Sequence, residues 1–215
     1  MLFRLFLSHD KAPVVYSKVK RVLDLVFALI LFLLLSPLMV TVGVLVLFLD
    51  GRPILFRQVR PGVGEKPFAL VKFRTMSGSA IAADGDESGR ISDLGAVLRK
   101  TSIDELPSLW NVVRGDMSFV GPRPLLMEYL DVYSSHHSVR HDVRPGLTGL
   151  AQVGGRNLLS WNQRLDLDVF YVQQQSLLLD FKILLRTLVF VPSLRGVDQA
   201  NGATMERLSD GYDAQ

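Results

Sequence analysis

The hydrophobic pattern is dominated by an apolar run, Val22 to Leu49, interrupted near its middle by Ser36-Pro37. Basic residues stand outside both ends: Lys18, Lys20 and Arg21 before it, Arg52, Arg57 and Arg60 after it. As one helix the run would reach about 42 Å at roughly 1.5 Å per residue. That exceeds a hydrocarbon core about 30 Å thick, so a tilted spanning helix fits by length. The flanks point elsewhere, because both favour the cytoplasmic side. A helix that enters, breaks at Ser36-Pro37 and returns satisfies both, since each arm of about 20 Å is too short to cross. Pro37 has no N–H and its ring crowds the carbonyl of Leu33; the Ser36 hydroxyl is placed to bond back along the helix. A kinked spanning helix is the alternative that the pattern leaves open.

Downstream the apolar positions are shorter and alternate. Ile54–Val59 and Phe68–Arg74 predict two strands of a hairpin across the turn-rich Arg60–Lys66. Ser77–Ser92 predicts a loop, Asp93–Lys100 a short helix, and a further helix from near Ser102 to about Val113. Gly115–Pro124 reads as a loop, Leu125–Tyr133 as helix, Arg144–Asn157 as loop-rich and Trp161–Gln175 as helix. Leu177–Val191 is strongly apolar, with Lys182 and Arg186 on one face, and predicts either a core helix or, as the favoured reading, a helix lying in a membrane interface. Met1–Leu7 has an apolar face around Arg4 and suits either the same interface or a disordered start; Gly196–Gln215 reads as a loose tail.

Composition narrows the setting. A hydrophobic share of 48% fits partial membrane burial, and a net charge of +3 suits an anionic surface or substrate. Nucleic acid is disfavoured, because the basic residues are not interleaved with an aromatic stacking platform. The chain has 0 cysteines, which excludes a disulfide framework, thiolate catalysis and a zinc–cysteine site.

The candidate chemistry centres on Asp104-Glu105. Ser102-Ile103-Asp104-Glu105 matches a capping box, with Ser102 as N-cap and Glu105 reaching back. Pro107 disturbs that register; the alternative starts the helix near Leu106 with Pro107 in its first turn. Either register sets two carboxylates at a helix start, where a phosphate can be bound beside a group able to attack it or hold a divalent cation. Lys72, Arg74, Arg99, Lys100 and Arg123 lie on segments able to converge there, and Pro122 and Pro124 restrain Arg123. His136, His137 and His141 suggest a metal site only faintly, through the i,i+4 spacing of His137 and His141.

These motifs resemble those of the bacterial sugar transferases, the monotopic phosphoglycosyl transferases. The resemblance rests on Leu98-Arg99-Lys100-Thr101-Ser102-Ile103-Asp104-Glu105-Leu106-Pro107, then Trp110-Asn111-Val112-Val113-Arg114-Gly115-Asp116-Met117-Ser118 and Gly121-Pro122-Arg123-Pro124. Lys72-Phe73-Arg74-Thr75-Met76 is similar to an early motif. Arg144-Pro145-Gly146-Leu147-Thr148-Gly149, with Gln152-Val153 and Gly155-Arg156-Asn157, is similar to a late one. Ile103 and Ser108 depart from the more usual leucine and glutamine.

The resemblance implies transfer of a sugar 1-phosphate from a UDP-sugar to a polyprenol phosphate, usually undecaprenyl phosphate, with release of UMP. It implies Asp104 as nucleophile in a covalent phosphosugar-aspartyl intermediate, and Mg²⁺ held by Asp104 and Glu105. Arg123 is implied as a phosphate ligand, and Lys72, Arg74, Arg99, Gln152 and Arg156 as further phosphate or nucleotide-sugar ligands. Two alternatives stand beside it: direct transfer in a ternary complex with Asp104-Glu105 as metal site only, and an inactive membrane-anchored scaffold. The expected fold is α+β: a re-entrant helix-break-helix within residues 1–50, then a cytoplasmic catalytic domain over 51–195 with a small hairpin, mostly helical and carrying interfacial amphipathic helices. A tail covers 196–215. The expected location is the cytoplasmic face of a bacterial inner membrane, with membrane lipids as neighbours; a homo-oligomer is left open.

Overall fold

A computed structural model describes residues 14–76, 91–155, 159–193 and Leu208. The expectations for Met1–Leu7, most of the loop 77–92, Arg156 and the tail 196–215 other than Leu208 lie outside the described residues.

The apolar run is the centre of one long helix, α1 (Val14–Leu49), continuous through Pro37. The predicted repair of the proline site is present: Ser36 Oγ donates to the Leu33 carbonyl at 2.7 Å, and Thr41 Oγ1 donates to that of Pro37 at 3.0 Å. Serine and threonine hydroxyls thus supply bonds that the backbone around a proline lacks.

The hairpin follows as β1 (Leu55–Pro61) and β2 (Pro67–Phe73), antiparallel with Gln58 opposite Leu70. Then comes α2 (Asp93–Thr101), capped by Ser92, whose Oγ accepts from Gly95 N at 2.9 Å. Beyond it the expected single helix is two pieces: a 3₁₀ turn, Ile103–Ser108, and α3 (Leu109–Arg114). Ser102 makes no side-chain cap; it sits in the left-handed region at φ 58° and ends α2. The predicted capping box is therefore not formed, because the chain reverses at the residue that would have to be extended to cap.

Two short strands were not foreseen. β3 (Ser118–Val120) and β4 (Gly146–Thr148) pair in parallel, each inside a segment that reads as loop. Between them, Leu125–Tyr133 holds only a 3₁₀ turn at Met127–Tyr129 rather than a helix, followed by α4 (Ser135–Ser138). The late motif contains α5 (Leu150–Gly154); α6 (Trp161–Gln174) and α7 (Leu177–Ser193) match the expected helices. The capping box absent at Ser102 appears instead at the start of α6, between Ser160 and Gln163.

Both arms of α1 pack on this body. Ala28 meets Val112 and Met117, while Val42 and Val46 meet Phe73 and Leu98. Arg21 donates to the carbonyls of Val112 and Val113 at 2.6 and 2.8 Å, and Lys20 pairs with Asp180 of α7 at 2.6 Å. At the far end Arg74 donates to the carbonyls of Asp50, Gly51 and Arg52 just after α1. Those carbonyls have no partner within the helix, so an arginine there closes its C-terminus. Between the two packed arms, none of residues 29–41 is buried.

Candidate active site

Asp104 is set by what clamps its turn to β2. Ser108 Oγ donates to the Val71 carbonyl at 2.7 Å. Asn111 accepts from Val71 N at 3.1 Å and donates to the Ala69 carbonyl at 2.8 Å, replacing a neighbouring strand along that edge. Both side chains are buried, and their bonds satisfy backbone groups that would otherwise be costly to bury. The clamp brings the 3₁₀ turn beside Lys72, while the intervening Phe73 points the other way into the core.

Arg123 arrives from a different direction. The parallel β3–β4 ladder presses the Gly121-Pro122-Arg123-Pro124 loop against the Arg144–Gly149 segment, with Gly121 N donating to Thr148 O and Gly146 N to Pro122 O, both at 2.9 Å. A Cβ at Gly121 would lie 2.3 Å from the Arg144 carbonyl oxygen, and one at Gly146 2.2 Å from Gly121 N. Only glycine fits where two backbones approach this closely. Arg140 then fixes the loop: Nη2 donates to the Arg123 carbonyl at 2.6 Å, while Nη2 and Nε donate to Asp168 Oδ2 at 2.7 and 3.1 Å. The Arg123 guanidinium meets Glu105 at 2.6 Å.

The result is a cavity of about 700 Å³ that holds Lys72, Arg99, Asp104, Glu105 and Arg123 together, with Gln152 on another wall. Arg99 is steadied by donating from Nε to Thr75 Oγ1 at 2.8 Å. Both amide atoms of Gln152 are buried and lack a partner among the described residues. Arg74 is not among the lining residues, its guanidinium being spent on the end of α1. Arg156 lies outside the described residues.

The electrostatics set Asp104 apart. It is 6% exposed and accepts no hydrogen bond from any described residue. Burial, then the neighbouring Glu105 charge, pushes its carboxyl from 3.8 up to about 6, against the pull of Lys72, Arg123 and Arg99. Lys72 is pushed down, first by burial and then by Arg123. Two carboxylates facing open volume form a hard oxygen donor set, and their surplus negative charge fits a divalent cation shared with substrate phosphates. If Mg²⁺ binds in this cavity, Asp104 and Glu105 are the carboxylates that would hold it.

Sequence reasoning missed Arg140, Asp168, Trp161, Arg164, Thr148 and Thr187, which also line this cavity. Asp168 carried a signal. It shares a helical face with Trp161 and Leu165, and a carboxylate at a core position demands a partner. The His137–His141 spacing does not build a site. His137 faces Asp166, whereas His141 packs beside the Tyr133 ring, its imidazole pushed down to about 4 by burial and then by Arg140.

Comparison with known proteins agrees with the motifs. Residues 15–193 match the family model described as bacterial sugar transferase. The chain is 44% identical over 196 residues to the "Uncharacterized sugar transferase EpsL" of Bacillus subtilis, covering 90% of this chain and 97% of that protein. It is 44% identical over 193 residues to a UDP-glucose:undecaprenyl-phosphate glucose-1-phosphate transferase of Caulobacter vibrioides, covering 84% of this chain and 71% of that one. With the exopolysaccharide production protein ExoY of Rhizobium meliloti it shares 39% identity over 196 residues, 82% and 87% of the two chains. The match spans both packed arms of α1, the Asp104 turn and the Arg123 loop, and the chain belongs to the bacterial sugar transferase family.

Proposed function

We propose that this chain transfers a sugar 1-phosphate from a UDP-sugar to undecaprenyl phosphate, releasing UMP, with Asp104 as nucleophile. The observation that carries the reading is a buried carboxylate without a hydrogen-bond donor among the described residues, ringed by Lys72, Arg99 and Arg123 in an open cavity. A carboxylate saturated by donors is a weak nucleophile; one held only by nearby positive charge is available to attack. The Caulobacter vibrioides relative, named as a UDP-glucose:undecaprenyl-phosphate glucose-1-phosphate transferase, supports the substrate classes.

In the first step an Asp104 oxygen attacks the sugar-bearing phosphorus, and the bond from that phosphorus to the bridging oxygen breaks. UMP departs with the bridging oxygen, leaving the phosphosugar on Asp104. In the second step an oxygen of undecaprenyl phosphate attacks the same phosphorus, the bond to Asp104 breaks and the carboxylate is restored. Lys72, Arg99 and Arg123 neutralise and orient the phosphates throughout. A Mg²⁺ ion at Asp104 and Glu105 would supply further neutralisation of phosphate charge. Because the carboxylate is regenerated before the next donor binds, a soluble and a lipid substrate use one site in turn.

The membrane arrangement follows the same logic. Lys20 and Arg21 hold the first arm of α1 to α7 and α3, and Arg74 holds the end of the second arm to the hairpin. Both ends therefore belong on the cytoplasmic side with the nucleotide sugar, and the unburied stretch around Ser36-Pro37 is the part that dips into lipid and returns. On α7, Leu178, Phe181, Leu185, Leu188 and Val189 are exposed, a face suited to the bilayer interface.

Initial-velocity kinetics test the chemistry. Varying UDP-sugar at several fixed concentrations of undecaprenyl phosphate should give parallel double-reciprocal lines; intersecting lines would assign direct transfer in a ternary complex instead. Topology is tested separately by a cysteine replacing Ser8, which should resist labelling from the periplasm of intact cells.

A further inference from the structure

A second cluster of ligating side chains lies away from the Asp104 turn. His136 and His137 of α4 both direct Nε2 at one oxygen of Asp166 on α6: His137 at 3.0 Å and His136 at 3.7 Å. The three potential ligand atoms lie within 4.8 Å of one another. Ligands 2.0–2.1 Å from a tetrahedral zinc are separated by about 3.3 Å, so these spacings bracket what one ion requires. His137 is already oriented as a ligand would be: it is buried, and its Nδ1 is hydrogen-bonded to Ser134 Oγ at 3.1 Å, which leaves Nε2 to face Asp166. His136 and Asp166 are exposed, which gives an ion a route in and leaves a coordination position for water.

We propose that His136, His137 and Asp166 form a site for a zinc-class transition-metal ion, separate from the carboxylate pair of the reaction centre. Two imidazoles and one carboxylate select zinc and its neighbours over Mg²⁺, which takes oxygen ligands. The ion would tie α4 to α6, the helix that gives Trp161, Arg164 and Asp168 to the cavity wall. Asp168 in turn anchors Arg140 and, through it, the Arg123 carbonyl. Zinc bound here would therefore brace that wall from its outer side.

The test uses the full chain in detergent, purified without a polyhistidine tag and titrated with zinc chloride against a chromophoric zinc chelator. One equivalent should bind. His136→Ala and Asp166→Asn should each weaken binding tenfold or more, and Ser134→Ala about tenfold through the loss of ring orientation. Zinc at about a hundredfold over the wild-type Kd should raise the thermal midpoint by about 5 °C in the wild type and by no more than about half of that in Asp166→Asn. Unchanged zinc affinity in both His136→Ala and Asp166→Asn, or displacement by millimolar Mg²⁺, would overturn the assignment, as would the absence of saturable binding. The readout is independent of catalysis, so it stands or falls apart from the proposed reaction.

Discussion

Asp104 and Asp168 line the same cavity and are almost equally hidden, at 6% and 3% exposure, yet they are built for opposite ends. Asp168 receives two hydrogen bonds from Arg140 on one oxygen and is locked. Asp104 receives none from the described residues; its cations stand near without touching it. A buried charge with a saturating partner serves structure, since breaking the pair leaves the other charge stranded. A buried charge without one strains the fold and is available for chemistry. The contrast separates the proposed nucleophile from the residue that holds Arg123 in place.

Four changes break or sharpen that contrast. Asp104→Asn should lower turnover about 10³-fold or more, as removal of a nucleophile does, measured as UMP release. Asp168→Asn should cost about 3–5 kcal/mol of stability by stranding Arg140, read from thermal melting in detergent. Asn111→Ala should cost about 2–3 kcal/mol, because Val71 N and the Ala69 carbonyl lose their buried partner, and turnover should fall with it as the Asp104 turn loosens. Glu105→Gln should change stability by less than about 1 kcal/mol, since its pair with Arg123 is open to solvent at 30% and 51% exposure. Equal stability losses in Asp168→Asn and Glu105→Gln would erase the distinction.

Asp104 also carries a pH response. Folding raises the Asp104 carboxyl from 3.8 to about 6, so the folded state holds that proton more tightly than the unfolded chain. Ionising Asp104 therefore costs stability as pH rises from about 4 to about 6. Asp104→Asn escapes the cost and should be more stable than wild type at pH 7, by up to about 3 kcal/mol, with the gap closing below pH 4. Turnover of the wild type should rise through pH 6 as the nucleophile ionises, while the stability of the same protein falls.

Much of the candidate site was legible in the chain. Lys72, Arg99, Asp104, Glu105 and Arg123 line one cavity and could be picked out because their motifs combine residue types that suit phosphate chemistry, and the Ser36 bond to the Leu33 carbonyl followed from proline geometry alone. Arg74 did not converge, because three free carbonyls after α1 lie within its reach and nothing local in the sequence reports that. The Ser102 box failed for a similar reason: the pattern fits a cap, but the chain reverses there. Strands β3 and β4 escaped notice because three residues carry no period, and they become recognisable only as partners. Arg140 and Asp168 are distant in sequence and meet only once α6 has packed.

The central claim is that Asp104 becomes covalently loaded. The direct measurement is intact-protein and peptide mass spectrometry after mixing the enzyme with UDP-sugar and Mg²⁺ but no undecaprenyl phosphate. The account predicts about one UMP released per enzyme and a phosphosugar adduct on the peptide bearing Asp104, absent from Asp104→Asn and discharged when undecaprenyl phosphate is added. An enzyme that releases no UMP and stays unmodified until the lipid arrives, yet turns over once it does, would contradict it.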